Sequence, residues 1–224
     1  MDSEELVQFY STHIVDNVDL TQKYSRMKPI KHKPYTTLIV GERGVGKTTL
    51  AKDIASKIIS IHNIERTMSF TNNIWENEYE NVNTISEYNT MTLSELIKEQ
   101  EKSSSKPILI IFDECFTSNE MNDDKNIRII TLYPRLLNIF SIIITQPQHM
   151  KMKPSLRINM DLVFVFKDDA NRKKIYDYYF GMLPNFNIFN SIMSSLEEHE
   201  CLVVDHFCDE SNLKEELLGR YVMV

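Results

Sequence analysis

The segment GERGVGKT, residues 41–48, has the residue types and spacing that bind phosphate. It contains three of the five glycines of the 224-residue chain and fits the pattern G-x-x-x-x-G-K-[ST]. Glycines let successive backbone N–H groups point at phosphate oxygens, so we expect Lys47 to reach the β- and γ-phosphates and Thr48 to ligate Mg²⁺. The predicted nucleotide-binding residues are Gly41, Gly44, Val45, Gly46, Lys47, Thr48 and Thr49.

Two acids and an amide follow apolar runs that look like buried strands. Asp113 and Glu114 come directly after ILIIF, and Gln146 follows FSIIIT. We expect Asp113 to hold Mg²⁺, Glu114 to deprotonate an attacking water, and Gln146 to sense the γ-phosphate or position that water. Taken alone, two acids at a strand end also fit an exposed strand terminus. The nearby phosphate-binding pattern favours the catalytic interpretation.

Phosphoryl transfer also needs positive charge in the transition state, often an arginine from a neighbouring subunit. Arg128, Arg135 and Arg157 are the candidates, and Arg157 lies in the locally basic segment KMKPSLRINMD. Each of them alone fits an ordinary surface ion pair. The predicted catalytic residues are Lys47, Glu114, Gln146, Arg135 and Arg157.

The elements around the phosphate-binding segment are predicted from apolar patterning. The run TTLIV, 36–40, indicates a strand, and Leu50, Ile54, Ile58 and Ile61 mark one face of the helix that follows. A strand is predicted over 66–71 and irregular structure over 72–90. A helix is then predicted with Thr92 as its N-cap, Glu95 completing a capping box, and an apolar face of Leu93, Leu96 and Ile97.

The later apolar runs predict the sheet. Strands are expected over 108–112, 140–145 and 162–166, a helix over 170–183, and a last strand over 201–207. Strands that alternate with helices predict an α/β fold with a mostly parallel central sheet flanked by helices on both faces. We expect two parts: an N-terminal helical arm and basic linker at 1–34, with a helix over 3–20, and a P-loop domain at 35–224.

Composition limits the classes of function. Apolar residues make up 42% and the net charge is −7, so the chain is globular and any DNA contact must come from local basic patches. The three cysteines are few and irregularly spaced, which indicates a reducing compartment. Cys201, His206 and Cys208 lack a fourth ligand at zinc-like spacing, so a metal site there is not expected. We expect no signal peptide and no membrane partner, since no apolar run approaches the ~20 residues of a membrane span.

Together, GERGVGKTT, ILIIFDEC and the stretch LYPRLLNIFSIIITQPQHMKMKPSLRINMDLVFVFK resemble the DNA-packaging ATPases of poxviruses and other large double-stranded DNA viruses, members of the FtsK/HerA superfamily. The resemblance covers residues 36 to 185. Its most discriminating part is an arginine before an apolar strand that ends in Thr-Gln, followed by Pro154, Arg157 and Asn159.

The resemblance implies an additional-strand, RecA-like P-loop core that hydrolyses ATP with Mg²⁺. It also implies a homo-oligomeric ring that translocates double-stranded DNA, through backbone contacts, into a preformed capsid. In that family pattern Lys47 and Thr48 bind nucleotide and Mg²⁺, Asp113 binds Mg²⁺, Glu114 activates water and Gln146 is the sensor. One departure is Asp113-Glu114 itself, where packaging relatives often carry two aspartates; Asp-Glu is the commoner pair in the wider superfamily.

Other functions stay open at this point. A cellular or plasmid DNA-pumping relative has the same motifs, and a nucleotide-binding assembly scaffold or capsid component is a non-enzymatic alternative. A GTP-dependent switch or a small-molecule kinase is disfavoured, since the chain has no Asn-Lys-x-Asp segment. The packaging interpretation predicts action in the cytoplasm of an infected host cell, with association with the virion as an option.

Overall fold

The structure is a computed structural model, and it describes residues 33–72, 79, 82–102, 106–183, 185–207 and 218–222. The predicted helix over 3–20, nearly all of the predicted arm and linker at 1–34, and Cys208 lie outside the described residues. The division into an arm and a P-loop domain therefore stays a prediction.

Most of the described strands are followed along the chain by one or more helices. The strands are β1 (Thr36–Val40), β2 (Arg66–Thr71), β3 (Thr84–Ser86), β4 (Ile108–Asp113), β5 (Ile139–Thr145), β6 (Leu162–Phe166), β7 (Glu200–Asp205) and β8 (Leu218–Val222). The helices are α1 (Lys47–His62), α2 (Thr90–Glu101), α3 (Ser118–Asp123), α4 (Lys125–Leu132), α5 (Pro134–Leu137), α6 (Pro154–Arg157), α7 (Arg172–Tyr179) and α8 (Phe186–Ser195), with a 3₁₀ turn at Pro147–His149.

The strands form one sheet in the order β3-β2-β4-β5-β1-β6-β7-β8. Neighbours from β3 to β6 pair in parallel, and β7 and β8 are antiparallel additions. Strand β5 lies between β1 and β4, so an additional strand separates the phosphate-binding strand from the Asp-Glu strand. The predicted fold class, with its additional-strand core, is confirmed.

Both faces of the central strands are buried, because side chains along these strands alternate between two apolar clusters. On one face Ile39, Leu109 and Ile142 pack with α1. On the other face Leu38, Ile110 and Ile143 pack with α2, α4, α7 and α8. The continuous apolar runs that predicted buried strands therefore have helices on both sides.

Several sequence-based boundaries were wrong. Ile61 is 40% exposed, so the buried face of α1 ends at Ile58. The segment 72–90 was expected to be irregular but includes β3, and 201–207 does not hold the last strand because β8 follows it.

Helix α2 begins at Thr90, not after Thr92. The side chain of Asn89 accepts hydrogen bonds from the N–H groups of Met91 and Thr92, which makes Asn89 the N-cap. The expected apolar face, Leu93, Leu96 and Ile97, is buried. A capping box does occur at α3, where Thr117 and Glu120 cap each other's backbone.

Candidate nucleotide-binding and hydrolysis site

The carboxyl ends of the parallel strands bring the predicted site residues to one edge of the sheet. Strand β1 leads into the glycine loop, β4 ends at Asp113, and β5 ends at Thr145 next to Gln146. The registers place Val40 beside Thr145 and Asp113 beside Ile144. This edge is where open α/β sheets bind ligands.

The glycine loop has the backbone geometry that a phosphate cradle requires. Gly44 and Gly46 have φ of 85° and 102°, values that L side chains rarely adopt. A Cβ on Gly41 would come within 2.8 Å of Val45 Cγ2 and 3.0 Å of Phe166 Cβ, so this glycine allows close packing against β6. Gly46 is the N-cap of α1, and it has no side chain to cover the first N–H groups of the helix. Those N–H groups, at the positive end of a helix, form a site for phosphate oxygens.

Lys47 joins the glycine loop to the end of β4. It is 5% exposed, and its Nζ lies 2.7 Å from the carbonyl oxygen of Glu42 and 2.7 Å from Glu114 Oε1. The ammonium is thus held between the loop and the predicted base, at the position where it can meet a phosphate.

Glu114 is held from a second side by the predicted sensor. Gln146 Nε2 donates to Glu114 Oε2 at 2.6 Å, and Gln148 Nε2 donates to Gln146 Oε1 at 2.7 Å. Glu114 has a φ of 49°, which is uncommon outside glycine, and its N–H donates to the carbonyl of Ile144. This turn directly after β4 aims Asp113 and Glu114 differently, and strained residues of this kind concentrate at functional sites.

Asp113 and Thr48 supply the oxygen atoms that fit a magnesium ion. Thr48 Oγ1 lies 3.4 Å from Asp113 Oδ2, so a hydroxyl and a carboxylate come together at the N-terminus of α1. Mg²⁺ prefers such hard oxygen ligands beside the phosphates it accompanies. Burial raises the pKa of the Asp113 carboxyl above its ordinary value, and the charge of Glu114 adds to this rise. Hydrogen bonds from Tyr79 and Thr48 act in the opposite direction.

A cavity of about 490 Å³ opens beside Glu114 and Gln146. Its walls include Asn72, Thr117, Glu120 and His149. The cavity gives the predicted base access to water.

The remaining predicted residues lie at varied distances from this cluster. Val45 is half-buried and its carbonyl lies 3.3 Å from His199 Nδ1, while Thr49 is exposed on α1. Arg135 pairs with Asp161 at 2.6 Å near the amino ends of β5 and β6, at the opposite edge of the sheet. The Arg157 guanidinium stacks over Tyr178 at 4.0 Å and donates to the carbonyl of Met152. Neither arginine meets the Lys47 cluster within its own chain, and their catalytic roles stay predictions.

Sequence reasoning missed several residues that touch this cluster. Tyr79 donates to Asp113, Asn72 donates to the carbonyl of Glu114, and Gln148 donates to Gln146. Only Gln148, in the segment TQPQ, stood close enough to a recognised residue to be suspected. Tyr79 and Asn72 lie in the segment 72–90, which has no periodic apolar pattern from which their contacts could be predicted.

Among the described residues, no helix is long and apolar enough to cross a membrane, and no cluster of His, Cys, Asp or Glu side chains forms a separate metal site. Cys201 is buried in β7, and Cys115 is a buried free thiol next to Glu114. Burial raises the pKa of Cys115, which keeps this thiol protonated and unreactive.

Comparison with known proteins supplies relatives from viruses. An uncharacterized protein of Invertebrate iridescent virus 3 is 24% identical over 78% of this chain and 70% of its own length. An uncharacterized protein of Acanthamoeba polyphaga mimivirus is 25% identical over 75% of this chain and 66% of its own length. Among solved structures, the genome packaging NTPase B204 of Sulfolobus turreted icosahedral virus 2, in complex with ATP-gammaS, superposes with a TM-score of 0.60 at 15% identity. That superposition covers 84% of this chain and 96% of the other, and it shows a shared fold.

Residues 37–136 match the model of the ATPase family associated with various cellular activities (AAA). The matched region contains the glycine loop, Lys47, Thr48, Asp113 and Glu114. ATP and Mg²⁺ are the nucleotide and the metal of such a domain, in agreement with the oxygen and N–H donors at this edge. Residues 37–136 therefore match an AAA-type P-loop ATPase domain, and this match together with the geometry of the site supports ATPase activity.

Proposed function

We propose that the chain is an ATP-driven double-stranded DNA translocase that packages a viral genome into a preformed capsid. The observation that carries the hydrolytic part is the cluster in which Glu114 is held by Lys47 at 2.7 Å and by Gln146 at 2.6 Å. The packaging part is supported by the shared fold with a viral genome packaging NTPase and by the relatives from viruses.

In the proposed reaction each residue has one task. The loop N–H groups and Lys47 bind the phosphates, and Asp113 and Thr48 hold the magnesium ion, which neutralises charge on the β- and γ-phosphates when bound. Glu114 takes a proton from the attacking water. Its ion pair with Lys47 must open first, because the Lys47 ammonium then binds the phosphate instead of the Glu114 carboxylate. Gln146, hydrogen-bonded to Glu114, registers whether the γ-phosphate is present.

We propose that DNA is contacted through the segment 151–157, which links the end of β5 to β6. Lys151 and Lys153 are exposed, and Lys153 pairs with Asp123 at 3.1 Å. Because the net charge is −7, a single chain should bind DNA weakly, whereas a ring of chains concentrates these lysines in one channel. Backbone contacts of this kind carry no base specificity.

In the proposed ring, a neighbouring chain supplies the arginine that stabilises the transition state. Arg157 and Arg135 are the candidates, and Arg135, at the opposite edge of the sheet, could reach only the site of a neighbour. Mixing Glu114→Gln chains with Arg157→Ala chains tests this. If Arg157 acts across an interface, the mixture regains ATPase activity, since an intact Glu114 then meets an intact Arg157. The same mixture made with Arg135→Ala tests the second candidate.

The primary experiment is steady-state ATP hydrolysis with and without double-stranded DNA. We expect DNA to stimulate the wild type, Lys47→Ala to lose ATP binding, and the pair Lys151→Ala and Lys153→Ala to lose the stimulation while keeping basal turnover. Lys125→Ala, at an exposed lysine on α4, is the matched control. Binding of ATP without turnover, in assembled rings with DNA present, would favour the assembly-scaffold alternative. Hydrolysis that DNA leaves unchanged would refute the translocase.

The proposed setting follows from the proposed role. We place the protein in the cytoplasm of the infected host cell, with access to capsid proteins at the assembling virion. Co-purification of the chain with immature capsids from infected cells would test this location, with absence from every assembly intermediate as the contrary result.

A further inference from the structure

Tyr79 lies outside every recognised motif, yet it contacts the predicted metal ligand directly. Its phenol O–H donates to Asp113 Oδ2 at 2.9 Å. The tyrosine is 4% exposed and belongs to the apolar cluster of α1 and β4 that includes Ala51 and Leu109. Lys52 Nζ lies 6.0 Å from the ring centroid, on the side of α1. The ring is thus fixed by packing, and its hydroxyl has a defined direction.

The oxygen that Tyr79 binds is the one that Thr48 also approaches. Thr48 Oγ1 lies 3.4 Å from Asp113 Oδ2, a longer and weaker hydrogen bond than the 2.9 Å bond from Tyr79. When the Thr48 hydroxyl turns to ligate a metal ion it can no longer orient this carboxylate. The phenol of Tyr79 can, because it is not itself a ligand in the proposed site.

The charge of the group that hydrogen-bonds to Asp113 affects metal binding as much as the position of that group does. An arginine or lysine on Asp113 would neutralise the carboxylate and compete with a divalent cation. A phenol is neutral, so it orients the carboxylate and leaves its negative charge for the metal. Groups that hydrogen-bond to metal ligands in this way set their orientation and their affinity for the metal.

We propose that Tyr79 is a positioning residue, which fixes the Asp113 carboxylate for the Mg²⁺ that accompanies ATP. This inference rests on the proposed function, in which Asp113 holds the metal. It adds a residue from the segment between β2 and β3, which no motif covers, to the metal site.

The test compares nucleotide affinity with and without the metal. A fluorescent ATP analogue is titrated into wild type and Tyr79→Phe, once with Mg²⁺ and once with EDTA. We expect Tyr79→Phe to bind about three- to tenfold more weakly with Mg²⁺, the usual effect of one lost hydrogen bond, and unchanged with EDTA. Electron paramagnetic resonance with Mn²⁺ in place of Mg²⁺ gives a second readout, in which the variant needs more Mn²⁺ to reach half-saturation of the nucleotide complex.

Tyr179→Phe is the matched control. Tyr179 is 5% exposed, and its hydroxyl is buried without a hydrogen-bond partner among the described residues. Removing that hydroxyl deletes the same atom from another buried ring, and we expect both affinities to stay at the wild-type values.

Asp113→Asn separates failure of the inference from failure of the proposed function. If Asp113→Asn loses the Mg²⁺-dependent affinity while Tyr79→Phe matches wild type, the Tyr79 inference alone is overturned. If Asp113→Asn also matches wild type, the proposed metal site is itself wrong. Equal weakening of Tyr79→Phe with Mg²⁺ and with EDTA would show a purely structural role and would overturn the inference.

The double variant Tyr79→Phe/Asp113→Asn completes the cycle. If Tyr79 acts through Asp113, the double variant should have the Mg²⁺-dependent affinity of Asp113→Asn alone. An additional three- to tenfold loss, about the size of the single Tyr79→Phe effect, would contradict action through that carboxylate.

Discussion

Asp113 and Asp161 lie at opposite edges of the sheet, and burial raises the pKa of both carboxyl groups. Their partners differ in charge. Asp161 receives the Arg135 guanidinium at 2.6 Å and the N–H of Thr36 at 2.9 Å. Asp113 receives two hydroxyls, from Tyr79 at 2.9 Å and from Thr48 at 3.4 Å.

The difference separates a carboxylate that is paired with a cation of the fold from one that is kept for a ligand. The Arg135 charge opposes the effect of burial on Asp161 and ties α5 to the start of β6. At the other edge, the nearby cation Lys47 forms its ion pair with Glu114, and Asp113 keeps neutral donors. Asp113 therefore has its charge stabilised only in part within the chain, which suits a residue that gains a metal ion with the nucleotide.

The largest effect is expected for Glu114→Gln. Removing the proposed general base should lower kcat by about 10²- to 10⁴-fold, while ATP binding is retained because Lys47 and the loop N–H groups are intact. Steady-state turnover and equilibrium ATP binding measure the two quantities. Glu120→Gln is the control, since Glu120 lines the same cavity, and it should keep near wild-type turnover. Similar losses in both variants would contradict the assignment of Glu114.

Asp113→Asn should separate function from stability. Asp113 is the proposed metal ligand itself, so its loss should weaken Mg²⁺-dependent nucleotide binding about 10- to 100-fold, more than loss of the Tyr79 hydrogen bond does. The nucleotide-free variant should nevertheless have a higher free energy of unfolding at pH 7.

The sign follows from the raised pKa of Asp113. The ionised carboxylate is less stable in the folded than in the unfolded chain, so wild type loses stability as the pH rises through the raised pKa. The advantage of Asp113→Asn should vanish as the pH falls below about 3.9, the unfolded pKa of an aspartate, because the carboxyl is then protonated in both the folded and the unfolded chain. Denaturant unfolding at pH 7 and at about pH 3 measures this, and a less stable variant at pH 7 would contradict the comparison.

Arg135→Gln should have effects opposite to those of Asp113→Asn. It should lower the free energy of unfolding and leave the nucleotide affinity of a single chain unchanged. The Asp161 side chain is only 14% exposed, and in the variant its carboxylate has lost its cationic partner. We therefore expect the free energy of unfolding to fall by about 1–3 kcal/mol at pH 7. Arg135 lowers the pKa of Asp161, so its removal raises that pKa further and stability should fall more steeply between about pH 4 and 7 than in wild type. Urea unfolding measures the loss.

Arg128→Gln is the control for Arg135→Gln. Arg128 is exposed on α4 and forms no ion pair among the described residues, so its replacement should change stability by less than about 0.5 kcal/mol. Equal losses in the two variants, or a loss for Arg135→Gln that does not depend on pH, would show that the Asp161 pair does not support the fold.

The main cluster could be predicted from sequence because parallel strands end at a common edge. Once 36–40, 108–112 and 140–145 were recognised as buried strands, the residues that follow them had to meet. The same patterning did not fix the helix boundary at Asn89, since Asn89 and Thr92 are both good N-caps three residues apart and only the fold decides between them. Nor could it predict β3, a strand of three residues whose pairing with β2 is not local.

Tyr79 illustrates why part of the site escaped prediction. The segment between β2 and β3 has no periodic apolar pattern, and the contact with Asp113 spans 34 positions of sequence. A contact of that kind depends on how Tyr79 packs against α1, which residue spacing does not encode. Gln148 is an intermediate case, because it stands two residues from the predicted sensor and could have been suspected from proximity alone.

The smallest effect is expected at Gln148, which fixes the orientation of the sensor amide. Its Nε2 donates to Gln146 Oε1, and this leaves Gln146 Nε2 to donate to Glu114. Gln148→Ala removes one exposed hydrogen bond, so turnover should fall only about two- to fivefold. Gln148→Glu should cost more, because a carboxylate at this position can only accept, and the Gln146 amide would turn its oxygen toward Glu114. Turnover at saturating ATP measures both variants. Equal rates for Gln148→Glu and wild type would mean that contacts other than the one from Gln148 set the orientation of the Gln146 amide.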